Sequence, residues 1–201
     1  DKVLDYARNY GVGISGNESC STILVLLNTN ATANSSSLRD DGLAISYMGK
    51  SEDVYPYDQR GCVLHEFAGA AFGKLGPETI NHLTFIEACC CPGCNMNEQF
   101  NRAIRNGWWQ NISKTNKQKQ LPWYHLIFHE KYTSIVDIYE GACNHARGVY
   151  RSENQSVMGN AYIHYFNTIS REILVRRIME CAGKEFVFDD FVANDKVELP
   201  E

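Results

Sequence analysis

Two adjacent residues, His65 and Glu66, stand inside an apolar stretch that runs from Val63 to Phe72. An imidazole that holds a metal ion, next to a carboxylate that polarises a metal-bound water, is the pairing used by zinc hydrolases, with the Glu as general base. Such a site needs a second ligand about one helical turn further on, on the same face. Position 69 is Gly and position 70 is Ala, and neither can ligate. Taken alone, a His-Glu pair is more often a packed helix carrying one polar pair.

Two other patterns have the form of chemistry. Gly11-Val-Gly-Ile-Ser-Gly16 matches the dinucleotide fingerprint as a string. That motif needs a strand before it and a helix after it, whereas here a helical pattern precedes and a polar loop follows, so it reads as a loop. Cys89, Cys90, Cys91 and Cys94 form a cluster. Cys91-Pro-Gly-Cys94 has redox-motif spacing without the strand-helix-strand context of a thioredoxin-like site, and four zinc ligands from so tight a run are awkward. Local disulfides are the favoured use, with the pairing open. Cys20, Cys62, Cys143 and Cys181 are read as buried free thiols.

The surroundings of His65 carry more. The segment Val63-Leu-His65-Glu66-Phe-Ala-Gly69-Ala70-Ala-Phe72-Gly73-Lys74-Leu75-Gly-Pro77-Glu78 resembles the IgA-peptidase-like zinc metallopeptidases of gut bacteria, a metzincin-related family. That family's helix reads His-Glu-x-x-Gly-His-x-Phe-Gly-Lys-Leu-x-Asp-Glu-Tyr. His65, Glu66, Gly69, Phe72, Gly73, Lys74, Leu75 and Glu78 fall on it. The likeness continues through Phe85-Ile-Glu-Ala-Cys-Cys-Cys-Pro92, Pro122-Trp-Tyr-His-Leu-Ile-Phe128 and Ile135-Val-Asp-Ile-Tyr-Glu-Gly141. It runs on through the stretches 147–158 and 165–172, so that it covers most of the chain from about residue 20.

The resemblance implies a zinc endopeptidase scaffold with Glu66 as general base, His65 as a metal ligand and Met158 in the methionine turn below the site. It also implies a second His five residues after the first, which a regular helix would turn roughly 140° away. A π-bulge would realign the two, and Gly69 eases such a distortion. The departures fall on the ligands: Ala70 stands at the second His position, Pro77 at the Asp taken as third ligand, and Thr79 at the Tyr. One remaining imidazole holds zinc poorly, because affinity comes from closing three or four ligands around the ion. Zinc, the family's cofactor, is therefore expected to be weakly bound or absent, and Glu66 is a vestigial base. Glu78 is the tentative replacement ligand, with His164 and His82 as further candidates. His125, His129 and His145 are read as structural.

The elements that must position these residues follow from periodicity. Apolar spacing predicts helices over 1–10, 60–74, 97–106 and a last long one marked by Ile169, Ile173, Leu174, Ile178 and Cys181 and closed by Gly183. Thr22–Leu27 is the most apolar run and reads as a buried strand, while Leu43–Met48 reads as a strand nearer a sheet edge. Residues 108–165 look aromatic-rich and irregular. The expected fold is α+β: a metzincin-like domain over 1–201, with a twisted sheet, an active-site-type helix and a C-terminal helical subdomain, lacking upstream strands of a longer chain.

Composition bounds the partners. The chain has 201 residues, 44% hydrophobic and 21% charged, with a net charge of −5. The absence of a dense Lys/Arg cluster argues against nucleic acid and anionic membrane surfaces, and no apolar run reaches the roughly 20 residues of a membrane span. Eight cysteines lean towards an oxidising compartment, hence an extracytoplasmic or secreted protein. No leader is visible before Asp1, so a removed leader or a larger parent chain is expected. Asn-x-Ser/Thr triplets at Asn17, Asn30, Asn34, Asn111 and Asn154 carry little weight. The functional expectation is a catalytically impaired relative of a zinc metallopeptidase acting on proteins or peptides. The alternatives are an active endopeptidase with a rebuilt metal site and a non-catalytic peptide-binding module.

Overall fold

The first sheet owes its order to one strand that is buried on all sides. In the computed structural model, which describes residues 2–11, 20–29, 34–50, 59–86 and 95–197, β3 (Ala44–Met48) pairs in parallel with β1 (Thr22–Leu26) and antiparallel with β2 (Ser35–Leu38). Leu43, Ala44, Ile45 and Met48 are buried, and the buried Ser46 hydroxyl meets Ser36 Oγ at 3.1 Å, so the polar residue of this central strand has a partner. This reverses the sequence reading. Among the described residues the apolar run is an edge strand whose Leu24 and Leu26 are exposed, and the less apolar run is central. Which strand lies in the middle is decided by pairing partners, and a run of apolar residues shows only that a strand can be buried.

Against this sheet packs a helix that changes type along its length. After α1 (Lys2–Tyr10), α2 (Gln59–Cys62) runs straight into a ten-residue π-helix, Val63–Phe72. Its end keeps the wide register, with Gly73 N–H donating to the Ala68 carbonyl at 2.9 Å. Gly61 lies in the helix because a Cβ there would sit 1.7 Å from the Ala161 carbonyl oxygen.

The stretch expected to be irregular contains most of a second sheet. Its centre is β7 (Asn144–Arg151), which takes β4 (Ile80–Phe85) in parallel and both β5 (Ile112–Ser113) and β6 (Tyr139–Ala142) antiparallel. β6 and β7 form a hairpin whose two turn residues, Cys143 and Asn144, both have positive φ, at 53° and 63°. That is the type I′ geometry that suits the twist of a hairpin. Asn144 also anchors the chain leaving the π-helix: its N–H donates to the Thr79 carbonyl at 2.8 Å, and its Oδ1 accepts from Thr79 Oγ1 at 2.5 Å.

Helix α3 (Met96–Arg105) ends at Gly107, with φ 73°, as the sequence suggests. α4 (Tyr124–Ile127), α5 (Thr168–Cys181) and α6 (Phe188–Asn194) surround an apolar core of Trp123, Leu126, Tyr132, Ile169 and Phe191. The sequence reading expects α5 but not α6. Among the described residues no helix is long and apolar enough to cross a membrane.

Cys20 and Cys181 form a disulfide across 161 residues of sequence, tying the approach to β1 to the end of α5. The expectation of buried free thiols is wrong for these two; of the others, Cys143 is buried and Cys62 half-buried, and neither is disulfide-bonded. Cys89, Cys90, Cys91 and Cys94 lie outside the described residues, as does most of the Gly11–Gly16 string. A cross-link closing so long a loop restricts the unfolded chain by up to about 5 kcal/mol. Replacing both Cys20 and Cys181 with Ala should therefore lower the urea midpoint clearly, whereas Cys62→Ala should change it little; equilibrium unfolding followed by circular dichroism checks both.

Candidate functional site

His65 is the third residue of the π-helix and is half-buried. Its Nδ1 lies 2.7 Å from the Val157 carbonyl oxygen. A carbonyl only accepts, so in the neutral ring Nδ1 carries the hydrogen and Nε2 keeps the lone pair. This is how a metal-binding histidine is usually oriented by its outer partner. Glu66 is held by the first sheet: Ser36 Oγ on β2 is 2.7 Å from Glu66 Oε2 and 2.8 Å from the Glu66 carbonyl oxygen.

The π register brings position 70 back under position 65. His65, Glu66, Ala70, Pro77 and Met158 all line one cavity of about 400 Å³. Ser36, Ser37 and Leu38 of β2, Gln99, Arg102 and Ala103 of α3, and Trp108 and Trp109 line it as well. Met158 is fully buried below the helix, in a cluster with Leu75 and Val157. Gly69 makes this approach possible, because a Cβ there would come within 2.4 Å of Met158 Sδ.

Glu78 does something other than the sequence reading expects of it. Its carboxyl group is not in the cavity wall. It accepts from Asn111 Nδ2 at 2.9 Å, from Asn167 Nδ2 at 2.8 and 3.0 Å, and meets Ser156 Oγ at 2.5 Å. Burial pushes its pKa up, against the hydrogen bonds from Ser156, Asn111 and Asn167. Its N–H also donates to the Met158 carbonyl at 2.9 Å. Glu78 thus holds the turn that carries Met158, and a ligand role would require it to leave every one of these partners. Asn111 is equally buried, which leaves no room for a glycan on its triplet in the folded chain.

The other candidate ligands do not converge on the cavity. His82 is exposed on β4 and tilts against the buried His145, ring centres 5.5 Å apart. His164 lies beside Gly61, at the opposite end of the helix from Pro77. His125 pairs with Glu172 at 2.7 Å. Among the described residues no group of three or more His, Cys, Asp or Glu side chains is arranged to share an ion. Among the described residues that line the cavity, His65 is the one imidazole and Glu66 the one carboxylate, and Ala70 and Pro77 supply no side-chain donor, so these residues do not complete a zinc site.

Sequence reasoning missed Ser36, Trp108, Trp109 and α3 as walls of the cavity. The adjacent tryptophans after Gly107 were a visible signal, but nothing local told that Trp109 N–H donates to the Lys74 carbonyl at 2.9 Å and so closes the end of the cleft.

The sequence matches no protein-family model and no curated protein. The geometry of Glu78 makes its own prediction. Glu78→Ala should destabilise the metal-free protein by about 3 kcal/mol or more, since it leaves buried donors on Asn111, Asn167 and Ser156 unmatched. Glu78→Gln should cost less, because its carbonyl oxygen can still accept from Asn111 and Asn167. With the folded pKa raised above 4.5, the folded state binds the extra proton, so stability falls as pH rises from that value. Glu78→Gln should remove part of that slope and leave the share of Glu153, also raised mainly by burial; urea titrations at several pH values read both effects.

Proposed function

We propose that this chain is a zinc-metallopeptidase-related domain that has lost its metal centre and uses the remaining cleft to hold an extended polypeptide without cutting it. The single observation behind this reading is that Ala70 and Pro77 share one cavity with His65, Glu66 and Met158. The two residues that fail to ligate thus stand where two ligands would be needed, and the frame around them is intact. The resemblance to the IgA-peptidase-like family, and with it a metzincin-type fold for residues 1–201, belongs to this proposal.

A metal-free cleft leaves Glu66 without an activated water, so the residue no longer has a base's task. What the cleft retains is a means of grip. β2 pairs with β3 on one side only among the described residues, and three of its residues line the cavity. A polypeptide added along that free edge would gain main-chain hydrogen bonds, with side chains directed at the tryptophans and α3. The Cys20–Cys181 disulfide supports an oxidising, extracytoplasmic setting.

Metal titration tests the first half of the proposal. The parent should purify without stoichiometric zinc and bind it weakly, while Ala70→His combined with Pro77→Asp should gain affinity by at least a hundredfold. Neither change alone should do much, since two protein ligands enclose an ion poorly. A folded double variant that binds zinc no better than the parent would sink the ligand assignment. The grip itself predicts that an extended peptide selected for binding to the parent loses most of its affinity when alternate backbone amides are N-methylated. Unchanged binding after methylation would speak against pairing with β2.

A further inference from the structure

A second cavity, of about 660 Å³, lies beyond the tryptophan pair: Trp108 and Trp109 line both it and the His65 cleft. Its inner wall is Lys74, the residue that follows Gly73 out of the π-helix. The Lys74 backbone is in the left-handed region, at φ 54°, and its carbonyl is held by Trp109 N–H. The turn thereby fixes a lysine that is only 7% exposed against the cavity, with Nζ 5.3 Å from the centre of the Trp108 ring.

Among the described residues no acceptor lies within hydrogen-bonding distance of Lys74 Nζ. Carboxylates do line the same cavity, but three are committed to other cations. Asp40 pairs with Arg102 at 2.9 Å, Asp41 with Arg39 at 3.1 Å, and Glu172 with His125 and Arg176 at 2.7 Å each. Glu180 is mostly exposed and lies 3.9 Å from Arg177. Burial, followed by the charge of Arg177, lowers the Lys74 pKa to about 8. The ammonium of this mostly buried lysine stands beside a guanidinium with no carboxylate hydrogen-bonded to it, so an incoming anion would gain a charge-assisted hydrogen bond there.

We propose that this cavity binds a small organic carboxylate, its anionic end on Lys74 beside Arg177 and its apolar part against Trp108, Ile169 and Ile173. The cavity is of the size that small-ligand sites have, and Trp108, Ile169 and Ile173 give it an apolar patch among charged and polar residues. This site shares a wall with the cleft and is independent of whether that cleft holds peptide or metal.

The test uses 3-phenylpropionate as probe and 3-phenylpropanamide as its neutral twin, with binding to the full chain measured by calorimetry at pH 7. The acid should bind at least tenfold more tightly than the amide, and Lys74→Met should lose that advantage. Equal affinities, no binding of either compound, or full acid affinity in a folded Lys74→Met variant would each overturn the proposal. Should that variant fail to fold, the parent gives an independent answer. Acetylation of Lys74 by an activated ester at pH 8, mapped by mass spectrometry, should slow severalfold with saturating acid and not with the amide. An unchanged rate in the acid would refute the site.

Discussion

The carboxyl group of Glu78 is the point on which the centre of this molecule depends. It is buried and meets donors from three separate parts of the chain: Asn111 before β5, Ser156 in the Met158 turn and Asn167 at the start of α5. Each partner has a second duty. Asn111 Oδ1 accepts from Gly76 N–H at 2.7 Å, Asn167 Oδ1 caps α5 by accepting from Ser170 N–H at 3.1 Å, and Ser156 Oγ accepts from Met158 N–H at 3.1 Å. A buried polar network of this kind is rigid when every member is satisfied and costly when one is missing. The exit from the π-helix, the floor of the cleft and the C-terminal helices are therefore set relative to one another by one side chain.

The π-helix is the second constraint, and it follows from packing. A ten-residue run in this register gives up the better hydrogen-bond geometry of an α-helix, and such distortions recur at functional sites. Here the return is that residues five apart face the same cavity. Gly69 lets Met158 rise to the helix backbone, and Gly73 lies where a Cβ would meet Leu174 of α5 at 2.8 Å. The helix is held between the first sheet and the C-terminal helices by positions too crowded for a side chain. His65 and Glu66 are in turn fixed by the Val157 carbonyl and by Ser36, so each side chain is held in one orientation at the cleft.

Function in this reading is divided by the tryptophan pair. On one side lies a cleft bordered by β2 and the His65–Glu66 pair; on the other lies a cavity walled by Lys74, to which no carboxylate is hydrogen-bonded among the described residues. Both depend on the same short turn, because Trp109 N–H bonds to Lys74 just after the helix ends. The exposed apolar residues Ile80, Leu83 and Phe85 of β4 lie apart from both.

The sequence alone determined the parts whose physics is local. The amphipathic helices α1, α3 and α5 and their glycine stops were legible, as were the two apolar strands and a helix over 60–74; the resemblance suggested a π-bulge in it, and the π register in fact runs for ten residues. That Ala70 and Pro77 carry no ligating side chain was equally plain from their identities. What only the tertiary structure decided is non-local. β3 is central and β1 an edge because pairing, and not apolarity, fixes strand order. Residues 139–151 form a hairpin through a Cys-Asn turn that carries no glycine signal. Cys20 meets Cys181 only because α5 returns past the first sheet. Glu78 looked like a spare ligand in a string of letters, and its role changed once the chain folded, because three donors far apart in sequence converge on it and turn its carboxylate away from the cleft.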